Sequence, residues 1–257
     1  MSTADVVTSC TDGIVTIALN RPAKKNALTA SMYGAMADAL RATEADPAVR
    51  CIVIHGSAEA FTAGNDLEDF LNDPPLGDDA PVFHFLSALP ACTRPLVAAV
   101  AGPAIGVGTT LLLHCDLVYA GDNARFALPF AQLGLCPEAA SSLLLPMVVG
   151  RLRAAEKLLL GEPFGAAEAH EMGLVNEVLP AGETIGHALA QAGKLARLPA
   201  SSLRVTKRLM KTGLEAAIGQ RMREEGTEFR AMLTAAAARE AFGAFLGKRK
   251  PDFTKLD

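Results

Sequence analysis

The sequence predicts an α/β fold in which buried, mostly parallel strands alternate with helices and a helical region follows. Three observations support this fold. Short β-rich runs recur as far as residue 179, helical patterns lie between several of them, and from residue 199 the chain reads as amphipathic helix. Strands that alternate with helices usually pair in parallel and are covered on both faces. We therefore divide the chain into a core of residues 1–198 and a C-terminal helical region of residues 199–257.

The β-rich runs are short and dominated by aliphatic residues, as expected for strands buried in a sheet. They are GIVTIAL (13–19), CIVIHG (51–56), PLVAAVAG (95–102), DLVYA (116–120) and LVNEVL (174–179). Between the first two, LTASMYGAMADALRATEAD has apolar residues on one helical face, and Thr29 or Ser31 is suited to cap it. The acidic stretch EDFLNDPPLGDDAP (68–81) is typical of a solvated loop.

Composition and charge exclude several classes of function. Hydrophobic residues make up 50% of the chain and charged residues 20%, as in a compact globular protein. The net charge of -4 provides no basic surface, so we expect no nucleic-acid partner. The uncharged run from Pro95 to Cys115 is long enough for a membrane span, but AGPAIGVGTT interrupts it. We expect instead a buried strand, a tight turn and a short helix, with no membrane association and a cytoplasmic location.

Neither a metal site nor a disulfide framework is predicted. The five cysteines are widely spaced, odd in number and contain no CxxC pair, and the five histidines show no ligand spacing. Cys136 lies two residues before a glutamate, but no histidine is near it in sequence. We therefore interpret Cys136 as a small buried residue rather than a nucleophile.

Glu138 is the only charged residue between Phe126 and Gly150. A carboxylate in apolar surroundings costs free energy unless it is paired or its shifted pKa is used. One interpretation places Pro137 and Glu138 in the first turn of a helix, where proline fits and an anion suits the dipole. The other makes Glu138 a functional acid or base.

Two glycine-containing turns each follow a predicted strand and precede a predicted helix. They are FTAGNDLEDF (61–70) and AGPAIGVGTTLLLHCD (101–116). Such junctions expose backbone N–H groups that can bind an anion. Two of them in one core can direct two N–H groups at a single carbonyl oxygen, which is an oxyanion hole. The glycines of the second turn do not match GxGxxG, so a dinucleotide site is not predicted.

Several segments resemble the crotonase, or enoyl-CoA hydratase/isomerase, superfamily. They are NRPAKKNALT, FTAGNDLEDF, AVAGPAIGVGTTLLLHCDLVYAGDNARFALPF and AAEAHEMGLVNEVLP, and the similarity runs in order from about residue 13 to residue 250. The resemblance implies a spiral core of repeated β-β-α turns and a C-terminal helical region that mediates trimers, often paired into hexamers. It also implies an acyl-CoA substrate and no separate cofactor.

The resemblance assigns roles to residues of both turns. The oxyanion hole would use the backbone N–H groups of Asn65 and Val107, so their side chains are no objection. Lys25 would contact the CoA phosphates, although Lys24 and Lys25 fit a solvated loop equally well. The positions that would bind substrate and CoA are Lys25, Ala63, Gly64, Asn65, Asp66, Leu67 and Gly106.

The acid–base positions favour isomerisation over hydration. Hydratases of the family use two glutamates, and the matching positions here are Thr110 and Phe130. Glu138, in CPEAASS, matches the single catalytic glutamate of peroxisomal-type Δ3,Δ2-enoyl-CoA isomerases. The resemblance therefore implies that Glu138 moves a proton from C2 to C4 as a 3-enoyl-CoA becomes a trans-2-enoyl-CoA.

The alternatives are another acyl-CoA reaction, such as weak hydration, and an acyl-CoA-binding subunit without turnover. Other acidic residues in the matched segments are interpreted as structural partners at helix and strand ends: Asp116, Asp122, Glu156 and Glu168.

Overall fold

The computed structural model describes residues 4–72, 74–77, 79–254 and 256. These residues form nine strands and eleven α-helices. The strands are β1 (Val6–Thr11), β2 (Ile14–Leu19), β3 (Cys51–His55), β4 (Leu96–Val100), β5 (Pro103–Ile105), β6 (Leu117–Gly121), β7 (Arg125–Ala127), β8 (Phe164–Gly165) and β9 (Glu177–Leu179). The helices are α1 (Ala30–Ala45), α2 (Leu67–Asn72), α3 (Pro81–Ala91), α4 (Val107–Thr110), α5 (Ser141–Val149), α6 (Arg151–Leu160), α7 (Ala166–Glu171), α8 (Thr184–Ala196), α9 (Ala200–Lys211), α10 (Glu215–Leu233) and α11 (Ala236–Leu246).

The larger sheet has six strands in the order β1-β2-β3-β4-β6-β9. Only β1 and β2 pair antiparallel, and the other neighbours are parallel, as the sequence predicted. All five residues of β4 and four of the five in β3 are buried, which explains their continuous aliphatic character. A second sheet of three short strands, β5-β7-β8, lies beside the glycine-containing turns.

The predicted strands are present, but the last is shorter than expected. Strand β9 covers only residues 177–179 of the predicted run 174–179. Asn176 replaces one pair of strand hydrogen bonds to β6. Its Oδ1 accepts from Val118 N at 2.7 Å, and its own N–H donates to Val118 O at 2.8 Å. Leu174 N and Val175 N both donate to Ala169 O, which curls this part of the run into a turn.

Helix α1 is confirmed, and its N-cap is Thr29. The Thr29 side chain accepts a hydrogen bond from Met32 N, and the buried face of the helix includes Met32, Met36 and Leu40. The prediction of a loop over residues 68–81 is wrong at its start and end, because α2 contains residues 68–72 and α3 begins at Pro81. Asp73 and Asp78 lie outside the described residues.

The C-terminal helices pack back onto the core. Phe229 and Leu233 of α10 and Phe242 of α11 belong to the main hydrophobic cluster. On α9, the buried Lys207 Nζ donates to Asp116 Oδ2 at 2.5 Å and to Arg94 O at 2.6 Å. Helix α8 covers the other face of the sheet, where Ala188 and Ala192 contact residues of β3 and β4. The region predicted as residues 199–257 therefore completes the core.

The acidic residues predicted as structural partners have that role. Asp116 also accepts a hydrogen bond from Leu96 N at 2.7 Å. Asp122 accepts from Ala181 N at 3.2 Å, and Glu156 and Glu168 both pair with Lys157 at 2.9 and 2.6 Å. Asp116, Asp122 and Glu168 thus join separate parts of the chain, whereas Glu156 pairs with its neighbour on α6.

The uncharged run of residues 95–115 contains β4, β5, α4 and the 3-10 turn Leu111–His114. This is the strand, turn and short helix that the glycines and proline predicted. Within the described residues, no helix is both long and apolar enough to cross a membrane.

Candidate active site

The first glycine-containing turn is held at its backbone from both sides. Ala63 N donates to Lys25 O at 2.9 Å, and Leu28 N donates to Gly64 O at 2.8 Å. The buried Asn26 side chain reaches under the turn, and its Nδ2 donates to the carbonyl oxygens of Ala60 and Phe61, each at 3.0 Å. Asn26 adopts a left-handed conformation with φ 56°, which asparagine tolerates better than most residues. The KKNAL segment therefore supports this turn.

The two glycine-containing turns touch each other at Gly64. A Cβ atom on Gly64 would lie 2.9 Å from the carbonyl oxygen of Ile105, so a side chain there would push the turns apart. After Ile105, Gly106 has φ 56° and ψ -115°, and α4 begins at Val107. Asn65 and Val107 therefore lie on adjacent turns whose backbones are in contact.

The N–H groups of Asn65 and Val107 are available to a ligand. The neighbouring N–H groups of Gly64, Asp66 and Gly106 donate to Thr62 Oγ1, Leu28 O and Ala127 O. Among the described residues, by contrast, neither the Asn65 N–H nor the Val107 N–H has an acceptor. Both residues line one cavity of about 510 Å³, which we call the coenzyme cavity.

Most positions predicted to bind substrate line the coenzyme cavity: Ala63, Gly64, Asn65, Asp66, Leu67 and Gly106. The lysines differ from the expectation, because Lys24 lines this cavity and Lys25 does not. Lys24 Nζ lies 3.4 Å from Glu68 Oε2, whereas Lys25 is exposed and its carbonyl supports the turn. A role for Lys25 in phosphate binding stays a prediction.

Asp66 also has a structural role that the sequence did not reveal. Its Oδ2 accepts from the Arg21 guanidinium at 2.6 Å, and its Oδ1 accepts from the N–H groups of Glu68 and Asp69 at the start of α2. Burial opposes ionisation of this carboxyl, but these donors hold its pKa below the usual value. Asp66 thus ties α2 to the coenzyme cavity as a charged N-cap.

Glu138 lies in a loop that two distant side chains hold in place. The helix begins only at Ser141, so the interpretation of Glu138 as a first-turn residue is wrong. Ala139 and Ala140 adopt left-handed conformations with φ 58° and 55°, which are unfavourable for residues with a Cβ. The Ala139 carbonyl bonds to His114 Nε2 at 2.8 Å, and Ala140 N donates to Glu225 Oε2 at 2.6 Å.

His114 acts in this loop as a neutral donor. Its burial lowers its pKa to about 4, so at neutral pH the ring is uncharged and donates from Nε2 to the Ala139 carbonyl. The position of the loop therefore does not depend on a histidine charge near pH 7.

The Glu138 carboxyl is buried and has one hydrogen-bond donor in the described residues. It is 7% exposed, and Thr110 Oγ1 donates to its Oε1 at 3.3 Å. Burial raises the pKa of Glu138 to about 7, the Thr110 hydroxyl opposes the shift, and the charge of nearby Glu225 adds to it. Because this pKa lies close to neutral pH, the carboxyl can both accept and return a proton.

Glu225 was missed by sequence reasoning. It caps α5 by accepting from Ser142 N at 2.9 Å and Ser142 Oγ at 2.5 Å, in addition to Ala140 N. Burial raises its pKa, and its hydrogen-bond donors oppose the shift. A signal was present, since Glu225 replaces an apolar residue in the buried stripe of α10 that also contains Ile218 and Phe229.

Glu138 lines a second cavity of about 510 Å³, which we call the base cavity. The base cavity and the coenzyme cavity share two lining residues, Phe70 and Phe229. These rings pack edge to face with centroids 6.2 Å apart. Thr110 connects the two sides, because its hydroxyl lies within 3.4 Å of Val107 O and 3.3 Å of Glu138 Oε1.

Tyr33 is a second residue that sequence reasoning missed. Its hydroxyl donates to Asn65 Oδ1, and its side chain is buried. Burial raises the pKa of Tyr33 well above the usual value, and the nearby charge of Glu138 raises it further. Tyr33 thus lies close to both halves of the site.

Cys136 is half-buried and not fully buried as predicted, but its thiol is unreactive, in agreement with the prediction. Its Sγ lies 3.5 Å from Glu225 O, and burial together with the Glu225 charge raises its pKa to about 11. The thiol therefore stays protonated at neutral pH and is a poor nucleophile.

The site combines two free backbone N–H groups with the Glu138 carboxyl, whose pKa is raised to about 7. The N–H groups suit an oxygen that becomes negative, and the carboxyl suits proton transfer at carbon. Thr110 and Phe130 provide no second carboxylate, and Phe130 lines the coenzyme cavity. This arrangement favours chemistry through an enolate.

A sequence model of the family described as enoyl-CoA hydratase/isomerase matches residues 9–256. The chain belongs to this family. It is therefore a crotonase-superfamily enzyme, and the fold predicted from the motifs, an α/β spiral core with C-terminal helices, is confirmed.

Relatives and solved structures agree with this assignment. The chain is 35% identical over 253 residues to the 2,3-dehydroadipyl-CoA hydratase of Escherichia coli K12, covering 97% of this chain and 98% of that protein. It is 36% identical over 245 residues to enoyl-CoA delta isomerase 2 of Rattus norvegicus, covering 93% of this chain and 62% of that protein. An enoyl-CoA hydratase/isomerase from Pseudoalteromonas atlantica T6c superimposes with a TM-score of 0.93 at 40% identity, covering 98% of this chain and 100% of that one. Since the family contains both hydratases and isomerases, the acid–base residues must decide the reaction.

We predict that Glu138→Gln is more stable than the parent protein above pH 7. Both states of the parent bind the Glu138 proton below pH 4.5, and only the folded state keeps it up to about pH 7. The parent therefore loses stability between these values, whereas glutamine cannot ionise. The difference in the free energy of unfolding should rise to about 3 kcal/mol at pH 8.

Urea unfolding at pH 5 and pH 8 measures this difference. The matched control is Glu171→Gln, which changes an exposed glutamate of α7. The free energy of unfolding of this variant should equal that of the parent at both pH values. Equal stability of Glu138→Gln and the parent at pH 8 would contradict a raised pKa.

Proposed function

We propose that the protein is an isomerase that shifts the double bond of a 3-enoyl-CoA to give the trans-2-enoyl-CoA. The observation that carries this proposal is the buried carboxyl of Glu138, whose pKa is raised to about 7. Moving a double bond by one position requires one proton to leave C2 and one to reach C4. A single group can do both, because the two carbons belong to the same dienolate.

In the proposed mechanism the thioester oxygen accepts hydrogen bonds from Asn65 N and Val107 N. The Glu138 carboxylate removes a proton from C2, and the electron pair moves through C1 onto the thioester oxygen as a dienolate. The two N–H groups stabilise this negative charge. Protonated Glu138 then delivers the proton to C4, which leaves the double bond between C2 and C3.

In this proposal each cavity holds a different part of the substrate. The CoA part and the thioester would occupy the coenzyme cavity, and the acyl chain would extend into the base cavity beside Glu138. The substrate would pass alongside Phe70 and Phe229, the residues that the cavities share. Apolar rings at this place keep water from the dienolate, which favours return of the proton over hydration.

Efficient hydration is disfavoured by the residues at the two positions used by hydratases. The Thr110 hydroxyl is occupied by Val107 O and Glu138, and Phe130 is a buried hydrocarbon ring. Neither can act as a carboxylate that positions and splits water. The retained carboxyl at Glu138 also argues against a subunit that only binds acyl-CoA.

We further propose that copies of the chain assemble into a trimer, or a pair of trimers, through their helices. Exposed apolar side chains lie on four helices: Met147, Val148, Leu152, Leu159, Leu160, Val205, Leu209, Met210, Phe245 and Leu246. Phe245 and Leu246 also line the coenzyme cavity, so a neighbouring copy could complete its mouth.

Sedimentation of the parent protein at micromolar concentration should show an oligomer. The double change Leu209→Glu and Met210→Glu should weaken this oligomer, because it puts charges on an exposed apolar face. A parent protein that is a stable monomer would contradict assembly.

Glu138→Gln should lose at least about 10²–10⁴-fold in kcat for 3-enoyl-CoA isomerisation and still bind the substrate. Glutamine fills the same space but cannot take a proton. Rates of isomerisation and hydration should be measured for the parent, Glu138→Gln and the control Glu171→Gln on substrates of matched chain length. Undiminished isomerisation by Glu138→Gln, or efficient hydration by the parent, would disprove the proposed function.

Val107→Pro should lose about 10²–10³-fold in kcat, because proline removes one oxyanion N–H. Val107 is the first residue of α4, a position that tolerates proline in a helix, so the variant should fold. The control is Val107→Ala, which keeps the N–H but loses buried side-chain contacts. If Val107→Pro folds and turns over like Val107→Ala, the oxyanion assignment is wrong.

A further inference from the structure

Tyr33 lies between the two halves of the proposed site, yet the proposed mechanism does not use it. It is located in the first turn of α1, and its ring packs against Phe85 with centroids 5.7 Å apart. Its hydroxyl donates to Asn65 Oδ1, and the charge of Glu138 is close enough to raise its pKa. The hydroxyl therefore stays protonated and acts as a donor over the working pH range.

The backbone of the first turn does not need Tyr33 to hold it. Leu28 bonds to the turn on both sides of Asn65, through Gly64 O at 2.8 Å and Asp66 N at 2.9 Å. The Asn65 carboxamide is different, since in the described residues Tyr33 is its one hydrogen-bond partner. The Tyr33 hydroxyl therefore holds the Asn65 side chain and not the backbone of the turn.

Donation by Tyr33 fixes which end of the Asn65 carboxamide meets the substrate. The carboxamide oxygen is occupied by the tyrosine, so the amide cannot turn that oxygen toward the cavity without losing a bond. Asn65 Nδ2 has no acceptor in the described residues and is not among their buried unpaired atoms. The amino group is therefore open to the coenzyme cavity, which Asn65 lines.

We infer that Tyr33 is a positioning residue, which orients the Asn65 carboxamide so that its amino group, and not its oxygen, faces the forming enolate. This inference rests on the proposed function in so far as an enolate forms beside Asn65 and Val107. A hydrogen-bond donor near the enolate stabilises it, whereas a free carboxamide oxygen would repel it. Tyr33 thus acts through Asn65 and touches no reacting atom.

The test combines Tyr33→Phe, Asn65→Ala and the double variant. Tyr33→Phe keeps the ring packing and removes only the donor. We expect kcat to fall about tenfold with little change in KM, because the hydrogen bond acts on the enolate and not on CoA binding. The double variant should lose no more than Asn65→Ala alone, since Tyr33 acts through that side chain. Tyr119→Phe is the matched control, because Tyr119 is the only other tyrosine and lies under α8 beside His187.

A second measurement does not depend on isomerase turnover. Acetoacetyl-CoA ionises to an enolate with its own ultraviolet band, so the enolate fraction bound to the protein reports how well the site stabilises that charge. The ratio of bound enolate to bound neutral form should fall about tenfold in Tyr33→Phe and in Asn65→Ala. In Tyr119→Phe this ratio should stay at the parent value.

The outcomes separate this inference from the proposed function. If the parent stabilises the bound enolate but does not isomerise 3-enoyl-CoA, the proposed function fails while the enolate fraction still tests Tyr33. An enolate fraction in Tyr33→Phe equal to that of the parent would overturn the inference. Losses in Tyr33→Phe and Asn65→Ala that simply add would also overturn it, because Tyr33 would then not act through Asn65.

Discussion

Burial of the Glu138 carboxyl is the constraint on which the rest of the site depends. Among the described residues no cation pairs with it, so desolvation dominates and raises its pKa to about 7. An ion pair would stabilise the fold but lower that pKa and weaken the base. The surrounding structure therefore supports the loop through its backbone, using His114 and Glu225, and leaves the carboxyl itself with one weak donor from Thr110.

The two turns of the proposed oxyanion hole are held in place by hydrogen bonds to their own backbone. There the backbone of the first turn is held by the Leu28 N–H and carbonyl, by Lys25 O and by the buried Asn26 side chain, and the N–H groups of Asn65 and Val107 have no acceptor among the described residues. Preorganised dipoles stabilise a developing charge without reorganising during the reaction. The protein thus places a rigid polar turn near a buried carboxyl, the pairing on which the proposed enolate chemistry depends.

Local patterns were sufficient for much of this structure and insufficient for the rest. Strands β2, β3, β4 and β6 and helix α1 follow from aliphatic runs, apolar periodicity and the Thr29 cap, which act within a few residues. The isolation of Glu138 in sequence and the two glycine-containing turns also indicated the candidate site. Strands β5, β7 and β8 are at most three residues long and carry no pattern. The loop at Glu138 and the contact from Tyr33 depend on partners far away in sequence, so no local rule could find them.

The left-handed pair Ala139 and Ala140 makes the position of Glu138 depend on a helix far away in the sequence. Glycine would adopt these φ angles without help, but alanine needs partners that compensate for the strain. One partner, Glu225, lies on α10, 85 residues after Ala140 in the sequence. The loop that carries Glu138 therefore keeps its conformation only while α10 is packed against it. A substitution that loosens α10 should displace the Glu138 carboxyl even though it changes no residue of the loop.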